Sequence, residues 1–242
     1  MIKTAGGRPI RVPVIEINDP LHLDRLDRLI DRLSDFDIAI FVSANAVIRG
    51  LARIHGRGAH LSHLKLAAIG RKTAVALKEQ GCQIDICPPR EFTSEALLAM
   101  APMQAIRGKR ILIFRGEGGR ELLAETLAAR GATIAYAEVY RRMIPRAKAR
   151  RLKQYIDQRA VDLITITSVE GLNNLNTLCA PAQRTILRKI PMVVGGARML
   201  QAARALGFVE AISAGEPSDE TMFDAVLSWA LHRPSDQAIP AS

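Results

Sequence analysis

The chain has 242 residues, of which 48% are apolar, and its formal net charge is +10. This apolar content excludes a chain that is disordered throughout, and no apolar run approaches the roughly 20 residues that a membrane span needs. The positive charge predicts an anionic partner, a class that includes nucleic acid, a membrane surface and an acidic small molecule. Aromatic residues make up 4% of the chain, and none is interleaved with a basic run as a single-strand stacking platform requires.

The predicted elements alternate between helices and strands along the chain. Asp19 and Pro20 are typical of a helix start, and the following apolar residues Leu23, Leu26, Leu29, Ile30 and Leu33 share one stripe. A second helix runs from about Arg120 to Arg130, where Gly131 ends it, and a third follows Ser218. Five continuous apolar runs are typical of parallel strands buried on both faces: 36–42, 66–69, 110–114, 161–167 and 191–195. This alternation predicts an α/β fold.

An internal repeat offsets two parts of the chain by 125 residues. Asp37-Ile-Ala-Ile-Phe-Val-Ser43 matches Asp162-Leu-Ile-Thr-Ile-Thr-Ser168, since 168 − 43 = 125. Two further pairs share the offset: Ala68-Ile-Gly70 with Val193-Val-Gly195, and Thr93-Ser-Glu95 with Ser218-Asp-Glu220. Because all of these segments lie where a strand or a helix is predicted to begin or end, they indicate one α/β architecture used twice.

The repeat predicts two similar lobes, each an open parallel sheet with helices on both faces (flavodoxin-like). Residues 1–17 and 143–242 form the terminal lobe, and residues 18–142 form the middle lobe. Two crossover segments join the lobes and define a cleft, the usual place for a ligand.

The terminal lobe is expected to lack the opening βα unit of its own repeat. Segment 131–139 follows a strand and a helix, whereas its counterpart at 6–14 follows only Met1-Ile-Lys-Thr-Ala5. Residues 1–5 then correspond to the last turn of the lost helix, through a misplaced start or a truncated sequence. We expect such a chain to be less stable than a full-length one and weakly active or inactive.

Three cysteines, Cys82, Cys87 and Cys179, have no metal-type spacing and leave one thiol unpaired. The histidines likewise pair with no cysteine or carboxylate at the spacing of metal ligands. We therefore expect no metal site, and a reduced cytoplasmic protein with inert thiols. The first residues lack the hydrophobic core of a signal peptide, which agrees with this expectation.

Five predicted strand-to-helix turns carry small or polar residues. In a parallel sheet such turns lie at the carboxyl edge, where ligands bind, and free N–H groups at helix N-termini attract anions. The alternative is that these residues only cap helices. The glycine-rich turn has the spacing of neither a P-loop nor a dinucleotide motif. The candidate binding residues are Ser43, Ala44 and Asn45; Gly70, Arg71 and Thr73; Arg115, Gly116, Gly119 and Arg120; Thr167, Ser168 and Gly171; and Gly195, Gly196 and Arg198.

Seven segments at these turns carry a family resemblance when taken in order. They are Phe41-Val-Ser-Ala-Asn-Ala-Val47, Ala68-Ile-Gly-Arg-Lys-Thr-Ala-Val-Ala-Leu77, Phe92-Thr-Ser-Glu-Ala-Leu-Leu98, Phe114-Arg-Gly-Glu-Gly-Gly-Arg-Glu-Leu-Leu123, Val139-Tyr-Arg-Arg142, Ile166-Thr-Ser-Val-Glu-Gly171 and Ser218-Asp-Glu-Thr-Met222. From about Gly6 to Leu227 the chain resembles the uroporphyrinogen-III synthase family. The glycine-rich turn followed by Val-Tyr-Arg-Arg is its most specific part.

The resemblance implies a two-lobed lyase of tetrapyrrole biosynthesis that acts on hydroxymethylbilane, a linear tetrapyrrole with many carboxylates. The enzyme would expel the hydroxyl as water, invert the last pyrrole ring through a spiro intermediate and close the macrocycle. The resemblance implies neither a cofactor nor a metal, and backbone N–H groups of the turns would hold the carboxylates. We expect no nucleic-acid or membrane partner, and a monomer.

Tyr140 is the candidate catalytic side chain. The resemblance implies that it helps the hydroxyl leave, by hydrogen bonding or as a general acid. Its repeat counterpart is Ile15, since 140 − 125 = 15, so the position is phenolic in one copy only. The alternative is a core aromatic residue that ends a strand.

Two other functions stay open at this point. A non-catalytic two-lobed binding or sensor domain for an anionic small molecule has the same architecture and would bind without turnover. A nucleic-acid-binding module is the third reading, for which the basic stretch 141–151 is the candidate patch. The simpler interpretation of that stretch is a solvated connection followed by a first helical turn.

Overall fold

The computed structural model describes residues 1–119 and 121–232. Its contacts divide the chain into two compact units, a middle unit at Ile17–Arg142 and a terminal unit that combines Met1–Glu16 with the chain from Met143 onward. The predicted lobes have the same boundary between residues 142 and 143. Their other boundary lies after residue 17, one residue later than in the structure. Across the two described ranges, no helix combines the length and the apolar character that a membrane crossing requires.

The larger sheet has five strands, in the order β1-β5-β4-β2-β3. The strands are Glu16–Asn18 (β1), Ile38–Phe41 (β2), Lys65–Ala68 (β3), Arg110–Gly116 (β4) and Thr133–Met143 (β5). Strand β2 is parallel to both of its neighbours, β3 and β4, and β4 is parallel to β5. All four residues of β2 are buried, as expected for a strand that is covered on both faces.

Helices cover both faces of this sheet. They are Leu23–Ile30 (α1), Ala44–Gly56 (α2), Arg71–Glu79 (α3), Ser94–Ala99 (α4), Ala101–Gln104 (α5) and Leu122–Ala129 (α6). Successive strand residues alternate between two cores, because side chains along a strand point to opposite faces. Ala39 and Phe41 join the core of α1 to α3, whereas Ile38 and Ile40 join the core of α4 to α6. The predicted α/β class with a two-sided parallel sheet is confirmed.

The terminal unit contains a parallel sheet with three strands among the described residues, in the order β6-β7-β8. Its elements are Ala149–Asp157 (α7), Ile164–Ile166 (β6), Val169–Leu178 (α8), Pro181–Leu187 (α9), Met192–Val194 (β7), Ala197–Ala205 (α10), Ala211–Ser213 (β8) and Asp219–Leu231 (α11). Strand β6 is shorter than the apolar run 161–167 predicts. Helices α7 to α10 share one core with β6 and β7, and α11 contacts β7 as well.

Residues 1–7 have the hydrogen bonds of a helix C-terminus. Gly7 N–H donates to the Ile2 carbonyl at 2.9 Å and Gly6 N–H donates to the Lys3 carbonyl at 3.1 Å, with Gly6 at φ 82°. This pair of bonds is the Schellman motif. The segment that follows differs from its repeat counterpart, since residues 8–14 form no strand whereas residues 133–139 lie in β5. Val12 and Val14 pack instead against the core of the terminal unit.

The repeat is visible in the helix caps. Ser43 accepts a hydrogen bond from Ala46 N–H at 3.1 Å and Ser168 accepts one from Gly171 N–H at 3.0 Å, each three residues into its helix. Thr93 caps α4 and Ser218 caps α11 in the same way, again 125 residues apart (218 − 93 = 125). Hydroxyl side chains at these positions satisfy amides that the helix itself leaves unpaired, which is why the duplicated sequence keeps them.

Helix α2 packs unusually close to the sheet at Gly50. The rings of Phe41 and Phe114 stack there with centroids 4.5 Å apart, and a Cβ on Gly50 would lie 2.9 Å from Phe114 Cδ1. Both rings are fully buried, so neither has room to move aside.

We expect Gly50→Ala to destabilise the protein by about 1–3 kcal/mol in urea denaturation, because overpacking outweighs the better helix propensity of alanine. Gly56→Ala is the control in the same helix, since no atom lies within 4 Å of its added methyl group. That variant should be as stable as the parent or more stable. Equal stability of the two variants would contradict the close packing at Gly50.

Candidate functional site

A cavity of about 420 Å³ lies inside the middle unit, at the edge where its parallel strands end. Val42 follows β2, Ile69 follows β3 and Arg115 lies near the end of β4. Other lining residues are Phe92, Thr93, Ser94, Gly119, Tyr136 and Arg142. The lining also includes the acidic Glu95, so basic and acidic side chains meet at the edge of the sheet where ligands of parallel-sheet proteins usually bind.

Tyr140 lies on β5 next to this cavity, with 1% of its surface exposed. Its hydroxyl lies 3.2 Å from Ser43 Oγ, the atom that also caps α2. Arg142 Nη2 donates to the same hydroxyl at 3.3 Å. A phenolic hydroxyl in a core normally needs such partners, and here both come from the carboxyl edge of the sheet.

The Tyr140 ring packs directly on the backbone of Gly116. A Cβ at that position would lie 2.5 Å from Tyr140 Cε2 and 2.7 Å from Cζ, so no side chain larger than hydrogen fits. The strand register shifts between Arg115 and Gly116, and this bulge places Gly116 opposite Tyr140. Gly116, assigned above as a binding residue, therefore has a packing role that positions the tyrosine.

Arg142 also belongs to the candidate site, although it is not among the binding residues predicted from the sequence. Its guanidinium carbon lies 5.6 Å from the centroid of the Tyr140 ring, and the residue also lines the cavity. The period of two along a strand could have identified it, because residues 140 and 142 share one face of β5.

Arg115 is 5% exposed, and the glycine-rich turn surrounds its guanidinium. Nη1 donates to Glu121 at 3.0 Å, Nη2 donates to the Gly119 carbonyl at 2.9 Å and Nε donates to the Gly116 carbonyl at 3.3 Å. The guanidinium also stacks 4.3 Å from the centroid of the Tyr136 ring. This arrangement holds the turn in place rather than presenting the guanidinium to solvent.

The Glu121 carboxylate accepts hydrogen bonds from both the Tyr136 hydroxyl and Arg115. These two bonds lower the pKa of Glu121, with the tyrosine as the larger cause. Burial, followed by the bond to Glu121, raises the pKa of Tyr136 to about 12. The contact requires an ionised Glu121 and a protonated Tyr136. Its stabilising effect is therefore lost in acid, as the pH falls below the ordinary glutamate pKa, and in base, as the pH rises from about 10 to about 12.

The other candidate residues of the middle unit begin helices. Ala44 and Asn45 are the first two residues of α2, and Asn45 is exposed. Gly70 is the N-cap of α3 and provides no side-chain cap, so backbone N–H groups are left at that helix start. Arg71 is exposed, whereas Thr73 is buried at 4% exposure. Gly70 lies beside Phe92, a lining residue of the cavity.

The candidates of the terminal unit lie at the ends of β6 and β7. Thr167 is exposed, Ser168 caps α8 and Gly171 lies within that helix, where a Cβ would lie 3.0 Å from Ser168 Oγ. A Cβ on the buried Gly195 would lie 2.6 Å from Pro217 Cβ. Gly196, at φ 156°, is the N-cap of α10, and the exposed Arg198 lies in the first turn of that helix. Together they form a second helix start without a side-chain cap.

Arg120 lies outside the described residues. Among the residues that are described, there is no group of three or more His, Cys, Asp and Glu side chains that could hold a metal ion.

We expect Glu121→Gln to lower the pKa of Tyr136 from about 12 toward the ordinary value of about 10, since the variant removes the charged acceptor. The tyrosine Cζ resonance, followed by NMR as the pH is raised, measures this shift. Tyr155 is the internal control, because its pKa is lowered by the hydrogen bond from Arg151 and does not depend on Glu121. An unchanged Tyr136 titration would show that burial alone sets its pKa.

Comparisons with known proteins identify the same family by two routes, a family model and similar sequences. The family model described as uroporphyrinogen-III synthase HemD matches residues 1–224. The uroporphyrinogen-III synthase of Escherichia coli strain K12 is 30% identical over 227 residues, which cover 93% of this chain and 92% of that protein. The enzyme of that name from Salmonella typhimurium is 33% identical over 217 residues, 88% of each chain.

The fold agrees with a solved structure. A mutant uroporphyrinogen III synthase from the bacterium Thermus thermophilus superimposes with a TM-score of 0.63 at 19% identity, over 95% of this chain and 90% of that one. At that identity the likeness establishes the two-unit α/β fold alone. With the family match extending over nearly all of the sequence, this chain belongs to the uroporphyrinogen-III synthase family.

Proposed function

We propose that the chain converts hydroxymethylbilane to uroporphyrinogen III as a lyase, without a cofactor or a metal. In this reaction the terminal carbon–oxygen bond breaks and the hydroxyl leaves as water after accepting a proton. Loss of water leaves an electrophilic methylene carbon on the first pyrrole ring, which bonds to the already substituted carbon of the last ring and gives a spiro intermediate. Rearrangement breaks the older bond at that carbon and re-forms it at the free α-carbon of the same ring, which loses its proton, so that the ring is inverted and the macrocycle closes.

One observation carries the catalytic part of the proposal. The Tyr140 hydroxyl lies at the carboxyl edge of the sheet, hydrogen-bonded to Ser43 and Arg142 and next to a cavity whose lining includes Arg115 and Arg142. A phenol in this position supplies a proton or a hydrogen bond to the departing hydroxyl. General-acid help of this kind is worth about 10²–10⁴-fold in rate.

The binding part of the proposal rests on backbone donors. The helix starts at Gly70 and Gly196 have no side-chain cap, so their N–H groups suit the carboxylates of a linear tetrapyrrole. The chain's net charge of +10 favours association with such a polyanion. Arg71 and Arg198 each follow one of these starts and are exposed, which places a cation beside the amides.

The proposed setting is a reducing cytoplasm, with the protein as a monomer. Its support is the state of the thiols, since burial raises the pKa of Cys82, Cys87 and Cys179 and keeps them protonated. Thiols of that kind react slowly with oxidants and with one another.

The decisive assay supplies freshly prepared hydroxymethylbilane and separates the oxidised porphyrin products by isomer. Production of the type III isomer above the spontaneous type I background is the expected result. Type I alone, from a folded sample that binds the substrate, would favour the non-catalytic binding domain instead.

We expect Tyr140→Phe to reduce turnover at least about tenfold, because the departing hydroxyl loses its hydrogen-bond donor while the ring still packs on Gly116. Its melting temperature should fall only slightly, since the phenylalanine ring fills the same space. Tyr155→Phe is the matched control in the terminal unit, where the hydroxyl contacts Arg151. Undiminished turnover of Tyr140→Phe would remove the catalytic assignment.

A further inference from the structure

A second cavity of the middle unit, of about 570 Å³, lies at the amino end of its sheet. Its lining includes Arg110 and Thr133, the first residues of β4 and β5, and Phe36, which lies just ahead of β2. The candidate site described above lies at the opposite, carboxyl end of the same strands, and Tyr136 borders both cavities. The volume falls in the range of about 300–1,000 Å³ that is typical of small-molecule sites.

Apolar side chains form one wall of this cavity. Leu29 comes from α1, and Ile134 and Ala135 come from the start of β5, where all three are half-buried. Phe36 is buried behind them, at 8% exposure. An apolar group that enters the cavity therefore leaves water and gains about 25 cal/mol for each Å² that it buries.

Two exposed arginines of α1, Arg25 and Arg28, stand at the same cavity. They lie three residues apart, so they share one face of the helix with Cβ atoms about 5–6 Å apart. Both guanidiniums can therefore reach one anion between them, while the apolar wall receives the rest of a ligand.

Neither of these arginines takes part in an ion pair within the described residues. Asp24 lies one turn ahead of Arg28, and Glu117 and Glu138 border a smaller cavity beside Arg25, yet none of the three carboxylates is paired with either arginine. The other carboxylates of α1 and of the turn that follows it are held by other arginines. These pairs are Asp27 with Arg53 and Arg57, Asp31 with Arg57, and Asp35 with Arg32 and Arg110.

We propose that this cavity is a second binding site, which takes a small organic acid with an apolar body. The body packs against Leu29 and Phe36, and the carboxylate accepts hydrogen bonds from Arg25 and Arg28. The planar guanidinium matches both oxygens of a carboxylate, which makes this contact stronger than a bond to a neutral acceptor. The bound anion also offsets the repulsion between two cations on one helix face.

The site is tested by isothermal titration calorimetry with naphthoate, a carboxylate on a flat apolar body. We expect saturable binding to the parent protein, and much weaker binding of naphthalenemethanol, which has the same body without the charge. Decanoate is the second probe, and tighter binding of decanoate than of naphthoate would support the site with a chain as its natural body. Absence of saturable binding by both acids would overturn the proposal.

The role of the arginines is tested with the double variant Arg25→Ala/Arg28→Ala. Its dissociation constant for naphthoate should rise at least about tenfold, because the charge-assisted hydrogen bonds are lost. Arg71→Ala/Arg198→Ala is the matched control, since it removes two exposed arginines from helix starts elsewhere and should leave this constant unchanged. An unchanged constant in the first variant, or an equal loss in the control, would overturn the assignment to this cavity.

The apolar wall is tested with Ala135→Leu, which fills the cavity and leaves every charge in place. Naphthoate should bind this variant at least several-fold more weakly, and unaltered binding to the folded variant would place the ligand elsewhere. Where Ala135→Leu does not fold, the double arginine variant decides, because its side chains are exposed and their loss does not threaten the core. None of these measurements uses hydroxymethylbilane, so their outcome is independent of the proposed function.

Discussion

The contact between the Tyr140 ring and the Gly116 backbone is the constraint on which the site depends. A one-residue bulge in the pairing of β4 with β5 puts these two residues opposite each other, and Glu117 N–H closes the arrangement by donating to the Tyr140 carbonyl at 2.9 Å. Without the bulge the register would bring a different β5 residue opposite Gly116. With it, the hydroxyl reaches Ser43 at the start of α2, so one packing contact joins three elements at the carboxyl edge of the sheet.

The sequence predicts features that depend on local chemistry. Buried strands appear as apolar runs, and Ser43, Ser168, Thr93 and Ser218 reveal helix starts because capping involves only neighbouring residues. The cavity could not be predicted in this way. It depends on which residues the strand order β5-β4-β2 brings together across large separations in the chain, and the position of Tyr140 depends on a bulge that neither composition nor periodicity predicts.

Arg115 illustrates why a charged residue in a promising turn is ambiguous from sequence alone. Its position after a buried strand suggests a ligand contact, yet Glu121 follows six residues later and the turn folds back so that this carboxylate pairs with it. The glycines of the turn allow that return, since Gly118 has φ 70° and Gly119 leaves space where a Cβ would lie 3.3 Å from the Arg115 guanidinium carbon. A partner six residues away is visible in the sequence, but the loop geometry that makes the pair is not.

The two units share helix caps and one parallel pair of neighbouring strands, β2 with β3 and β6 with β7, but their sheets carry different side chains. In the middle unit, β4 and β5 supply Gly116, Tyr140 and Arg142, whereas the described part of the terminal sheet consists of β6, β7 and β8. The terminal unit therefore has a capped and an uncapped helix start like those of the middle unit, with Ile15 at the repeat position of the tyrosine. Under the proposed function, the duplicated helix starts give both units donors for carboxylates, and a change at one strand gives the chemistry to the middle unit. This division explains why Ile15, the repeat counterpart of Tyr140, needs no hydroxyl.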